Sequence, residues 1–272
     1  MEKITEKQFT IFINDILDYL ENYIDIANIY KNYKETEYIL TSENVNYLNL
    51  ENGDLYKLFL EEGSGKTILP MLLNEEKFYF GKQRCFVKET SYGEERLKNI
   101  MFHELMHVGS RNNYTYGKYD ICTKTGIYSI RLIKNKTNKE YEYLNEALTE
   151  FVAKFIYDDL YSQKYKIIYE YSDKLLCSAY EKGYFILAFL LYNYFKENPK
   201  DLFEIYFNNN EEFLDNILRK NTIYTLETLN NLIDLFQNKS NKEINDYYND
   251  LIKNIYYNNP IKNIEIVKQY NL

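Results

Sequence analysis

Apolar residues recur at helical spacing along three parts of this chain and at strand spacing along one. Over residues 5–30, Phe9, Phe12, Ile13, Ile16, Leu17, Leu20, Tyr23, Ile24 and Ala27 form one wide stripe, which predicts a helix with a core face. Residues 36–90 have a different texture. Short apolar runs at 38–40, 47–50, 55–60, 68–73, 78–80 and 85–87 alternate with Gly, Asn and charged residues, which predicts a small sheet with a hairpin turn at Gly81-Lys82. Leu97, Ile100, Met101, Leu105 and Val108 then return to helical spacing. Ser91 and Glu94 read as a capping box ahead of that helix, and Gly109 as its C-terminal cap. Across residues 110–143, the segments 119–121 and 127–133 around Thr125-Gly126 suggest a β-hairpin.

From Leu144 onward the pattern is helical, with helices expected at 144–160, 172–196 (ended near Pro199), 200–218, 222–237 and 241–256. The nearly all-apolar stretch 184–192 makes the second of these central to its lobe. No repeat and no Pro/Gly/Ser-rich linker divides the chain. The expected architecture is therefore α+β and mostly helical. An N-terminal lobe, 1–109, carries a small sheet and the 94–109 helix, and a helical lobe, 110–272, packs on it.

The chemistry is concentrated in His103-Glu104-Leu105-Met106-His107. On a helix, His103 and His107 lie four apart and project from one face, so both imidazoles can reach one metal ion. Glu104 sits one position round, where it can touch a water on that ion without ligating it. The bland reading is a pair of ordinary histidines on a half-buried helix, but these are the only 2 histidines in the chain. A catalytic zinc site takes three protein ligands and leaves a position for water. With no third histidine and no nearby cysteine, the third ligand expected is Glu146, 146 − 107 = 39 residues further on. It lies beside the stripe Leu144, Ala147, Leu148, Phe151, Val152, Phe155, Ile156 and Leu160, four residues before Glu150. Paired glutamates most often mark a solvated helix face. Beside a core face, however, they are costly unless paired or metal-bound.

The two segments together resemble the gluzincins, the zinc peptidases that take two histidines from H-E-x-x-H and a glutamate from a second helix. Their second motif, N-E-x-x-[ST]-[DE], is matched at every fixed position by Asn145-Glu146-Ala147-Leu148-Thr149-Glu150. The resemblance implies a zincin-like fold with one Zn2+ per chain held by His103, His107 and Glu146, and with Glu104 as general base. It further implies that Glu150 holds the other ring nitrogen of the first histidine and that Asn145 lies near the second. Such outer partners fix ring orientation and raise ligand basicity. The resemblance is confined to two helices. The histidine that stabilises the oxyanion in thermolysin-like enzymes has no counterpart here, so that role falls to a tyrosine or an arginine. Tyr180 and Tyr184 are candidates among 31 tyrosines. The sheet ahead of the zinc helix in zincins offers an edge strand to extended substrate, and residues 78–87 are the expected edge here.

The function expected is zinc-dependent hydrolysis of peptide bonds in a peptide or protein substrate, by an endopeptidase. An aminopeptidase is the alternative within the class, disfavoured by the absence of a G-x-M-E-N motif. A zinc protein that binds a partner without cutting it is the alternative outside the class, disfavoured by an intact Glu104. The net charge, 33 − 41 = −8, argues against nucleic acid or anionic membrane as partner. Cys85, Cys122 and Cys177 are odd in number and widely spaced, which favours reduced thiols. The early apolar run is broken at Asn14-Asp15, and no later run is long enough to span a bilayer. A cytoplasmic protein is expected, with export by a signal-less route left open. Gly63-Ser64-Gly65-Lys66-Thr67 is not a P-loop, because Leu60 stands where the first glycine is required; it is expected to be a glycine turn.

Overall fold

The computed structural model describes residues 7–41, 45–48, 55–58, 65–68, 71–73, 78–88, 94–134, 136–161 and 179–237. The first apolar stripe forms two helices rather than one, α1 (Lys7–Leu20) and α2 (Ala27–Glu35). Local side-chain bonds mark the break. Asn22 Nδ2 donates to the carbonyls of Asp18 at 2.9 Å and Tyr19 at 3.1 Å, while Asp25 Oδ1 accepts from the Ala27 N–H at 2.9 Å. Short polar side chains of this kind compete with the helical ladder. The stripe hides the break because Leu20, Ile24 and Ile29, on its two sides, are buried in the same core.

The N-terminal half then builds one three-stranded sheet and two hairpins. In the sheet, β1 (Glu37–Thr41) runs parallel to β7 (Arg84–Lys88), and β4 (Gly65–Ile68) pairs antiparallel with the other side of β7. The hairpins join β2 (Val45–Leu48) to β3 (Leu55–Leu58) and β5 (Met71–Leu73) to β6 (Phe78–Phe80). Three expectations are corrected. Residues 78–87 are not one edge strand: they divide between β6, in a two-stranded pair with β5, and β7, which is the centre of its sheet with Cys85, Phe86 and Val87 buried. Gly81-Lys82 is not a hairpin turn, because the strands it joins lie in different sheets. The glycine turn expected at 63–67 is, from Gly65, the edge strand β4.

Helix α3 (Glu94–Gly109) carries both histidines and packs against α1, α2, β4 and β7. Its expected cap at Ser91 lies outside the described residues. Gly109 is the last helical residue rather than a left-handed cap. A Cβ there would lie 2.7 Å from the Tyr33 hydroxyl and 3.2 Å from Ile29 Cγ2, so the glycine permits close approach of α2. An antiparallel sheet of order β11-β10-β9-β8 follows, made of β8 (Arg111–Gly117), β9 (Asp120–Thr125), β10 (Tyr128–Ile133) and β11 (Lys136–Glu140). The expected hairpin is its β9–β10 pair.

The remaining described elements are α4 (Glu142–Tyr161), α5 (Ala179–Glu197), α6 (Pro199–Phe207), α7 (Glu211–Asn221) and α8 (Leu226–Gln237). The helix expected over 200–218 is split at Asn208–Asn210, where Asn209 adopts φ 54° and the Asn210 side chain caps α7 through the Phe213 N–H at 3.1 Å. Residues 172–178, the helix expected at 241–256 and Cys177 lie outside the described residues.

The fold is α+β and mainly helical, and one core runs through both halves of the chain, from Phe9 and Phe12 through Phe102, Leu105 and Leu148 to Phe203 and Ile233. No described helix is long and apolar enough to cross a membrane. Phe12 ties α1 to both motif helices, its ring centroid 5.4 Å from Phe102, 6.5 Å from Tyr157 and 6.0 Å from Tyr161. Phe12→Ala is therefore expected to cost about 3–5 kcal/mol, read as a lower urea midpoint at unchanged slope.

Candidate metal centre

α3 and α4 cross so that the face of one bearing residues 103 and 107 meets the face of the other bearing residues 146 and 150. His103 Nε2, His107 Nε2 and Glu146 Oε2 converge: the two nitrogens are 3.2 Å apart, and the carboxylate oxygen lies 3.4 Å from the first and 3.3 Å from the second. Four nitrogen or oxygen ligands placed tetrahedrally about 2.0–2.1 Å from an ion would be about 3.3–3.4 Å from one another. The triangle has the size of one face of that tetrahedron, and these three residues are a group that could hold a metal ion.

The protons support the same reading. His103 Nδ1 lies 2.8 Å from Glu150 Oε2. With Nδ1 donating to that carboxylate, Nε2 presents its lone pair to the other two ligand atoms. Three lone-pair groups facing one another repel unless a cation or proton lies among them. The acid–base balance shows the same pull. Burial opposes the charged form of His103, but Glu146 and Glu150 outweigh it and raise the imidazole well above its ordinary range. For Glu146 burial again opposes charge, and the two histidines overcome it and hold the carboxyl below its usual value.

Glu104 stands outside the triangle, 5 % exposed. Burial raises its carboxyl, while His107, His103 and the Thr67 hydroxyl act in the opposite sense. Thr67 Oγ1 donates to Glu104 Oε2 at 2.7 Å from β4. Nothing in the local sequence points to this partner, which is 37 residues away.

Asn145 joins the site to the neighbouring sheet. Its Oδ1 accepts from the backbone N–H groups of Ile127 at 3.0 Å and Tyr128 at 3.4 Å, so it pins the β9–β10 turn to α4. The turn needs glycine at 126. Its φ is +58°, and a Cβ would collide with Asn145 Oδ1 and come within 2.6 Å of the Tyr206 ring. Thr149 donates to the Asn145 carbonyl at 2.8 Å and receives the Tyr206 hydroxyl at 2.8 Å. Asn209, in the α6–α7 turn, donates to the carbonyls of Ser110 at 2.9 Å and Gly126 at 2.7 Å. The sequence carried a weak signal for Asn209, since asparagine is among the few residues that adopt the left-handed region readily. Tyr206 gave none.

The tyrosine candidates fare differently. Tyr184 is buried, its ring 6.0 Å from that of Phe151. It lines a cavity of about 430 Å3 with Tyr19, Tyr23, Phe155 and Tyr192, and none of the three ligand residues lines that cavity. Tyr180 lies on α5, with its side chain outside the described set. For Tyr128, which sequence reasoning passed over, burial and then the Glu142 and Glu146 carboxylates push the phenol up. Arg111 turns toward α2, donating to Asn32 Oδ1 at 3.0 Å, and Arg131 pairs with Asp120 through two bonds of 2.9 and 2.7 Å.

Comparison of the chain with protein-family models, with curated proteins and with solved structures finds no match.

Glu146→Ala is expected to abolish tight binding of a divalent cation by this group, while Glu150→Gln, which removes the carboxylate facing His103 Nδ1, weakens it about 10–100-fold. Competition with a chromophoric chelator measures both, and unchanged affinity in the Glu146 variant excludes it as a ligand.

Proposed function

We propose that the chain is a zinc-dependent metallopeptidase acting as an endopeptidase. The observation that carries this reading is the triangle of two imidazole nitrogens and one carboxylate oxygen, with a second carboxylate, Glu104, buried beside it and outside it. Two imidazoles and a carboxylate suit zinc among the divalent ions, and three protein ligands with one position left for water are the donor set of a catalytic rather than a structural site. A bound zinc would lower the pKa of its water toward neutrality and polarise the scissile carbonyl.

The chain's own groups would do the rest. Glu104 takes the proton from the attacking water and delivers it to the nitrogen of the leaving amine as the C–N bond breaks. Glu150 keeps His103 in the tautomer that presents Nε2. The likeness of both motifs to those of gluzincins supports hydrolysis. β4 supports a polypeptide substrate. Among the described residues it pairs only with β7, and an extended chain adding to its other edge would be held through backbone hydrogen bonds.

Purified zinc-loaded protein, presented with a proteome-derived peptide library, is expected to make internal cuts that a chelator abolishes. Glu104→Gln is expected to keep its zinc and lose about 10²–10⁴-fold in rate, because it removes the base and spares the ligands. Full activity in that variant removes the mechanism. Release of single N-terminal residues would make the enzyme an aminopeptidase.

A further inference from the structure

Glu104 reaches its carboxylate through three rotatable bonds, and a base with that freedom is poorly placed unless something holds it. Among the described residues, Thr67 is the one side chain that hydrogen-bonds the carboxylate. Its Oγ1 also lies 3.4 Å from the Glu104 carbonyl oxygen, so the hydroxyl sits directly against this turn of α3. Residues 65 and 67 are two apart on β4 and therefore face the same side of the sheet. A Cβ on Gly65 would lie 2.7 Å from Glu104 Oε1 and 2.8 Å from its Cδ, and would overlap its Cγ. The strand thus crosses the Glu104 side chain at a glycine and engages its carboxylate at the next inward position. These two observations are independent, one steric and one polar, and both point at the same side chain.

We infer that Thr67 is the positioning residue for Glu104 in the hydrolysis proposed above, on which this role rests, and that Gly65 is the opening that lets β4 come within reach. The hydrogen bonds of the Thr67 hydroxyl to α3 reach Glu104 and none of His103, His107 and Glu146, so its role is exercised through Glu104. With Oε2 engaged by the hydroxyl, Oε1 is the oxygen left to take the proton from water. β-Branched threonine suits the task, since a stiff χ1 on a strand aims the hydroxyl with little freedom to lose.

Thr67→Val keeps the shape and removes the donor, Thr67→Ser keeps the donor, and Gly65→Ala fills the opening. Crystal structures of the zinc-loaded wild type and the three variants read the position of the Glu104 carboxylate, and kinetics on the peptide cut fastest read its effect. The carboxylate is expected to leave its wild-type position in Thr67→Val and Gly65→Ala, and to keep it in Thr67→Ser. In Thr67→Val, kcat is expected to fall about 10–100-fold with KM and zinc content unchanged, and Thr67→Ser is expected to retain kcat within about threefold. A carboxylate that stays in place in Thr67→Val overturns the positioning role even where the wild type cleaves peptides. A carboxylate that moves in Thr67→Val while the wild type cleaves nothing upholds it and overturns the hydrolytic reading instead.

Discussion

Two imidazoles and three carboxylates gathered between α3 and α4 are the constraint on which the rest of the structure depends. Removing such groups from water is costly unless each finds a partner. Glu150 takes the His103 Nδ1–H and Glu104 takes the Thr67 hydroxyl. Glu146 and the two Nε2 atoms are left facing one another at 3.2–3.4 Å. That remainder is what makes the centre cation-seeking, and it exists because the other charges are so fully accounted for. Apolar packing makes the arrangement affordable: Met101, Phe102, Leu105, Met106, Leu148 and Val152 are all essentially inaccessible to solvent and fix how the two helices meet.

Around this centre the structure uses short polar links in place of further apolar mass. Asn145, Thr149, Tyr206, Ser110 and Asn209 bind α4, the end of α3, the β9–β10 turn and the α6–α7 turn to one another through bonds of 2.7–3.0 Å. Buried polar networks of this kind rigidify a site when every member is satisfied. On the opposite flank, among the described residues, β4 is held by β7 on one side only. A polypeptide pairing with its free edge would therefore grip the strand that holds the base, joining substrate binding to the alignment of Glu104.

The parts of the molecule legible in the sequence are those whose residues are close together in the chain. His103 and His107 share a helical face by spacing alone, as do Glu146 and Glu150, and α4 and the β9–β10 pair fall within a few residues of where periodicity puts them. Spacing is blind to tertiary choices. It ran α1 into α2 because both bury the same stripe, and it missed that β7 is central because a run of buried residues does not say what lies on either side. It read Gly65 as a turn because glycine serves turns and close approaches alike, and only the crossing of Glu104 distinguishes them. The motif resemblance placed Asn145 near His107 and gave no hint that its oxygen takes two backbone N–H groups of a turn that no local pattern connects to it.

The place of Asn209 has a consequence for the order in which the protein is made. His103, Glu104, His107 and Glu146 are all synthesised by residue 146, but Asn209, whose amide bridges the Ser110 and Gly126 carbonyls, comes more than sixty residues later. A nascent chain that has emerged only as far as α4 can form the bond from the Gly126 N–H to Ser110 Oγ at 3.0 Å, but it lacks the Asn209 amide that bridges the Ser110 and Gly126 carbonyls. That second bridge between the end of α3 and the β9–β10 turn is completed only once residue 209 has been made.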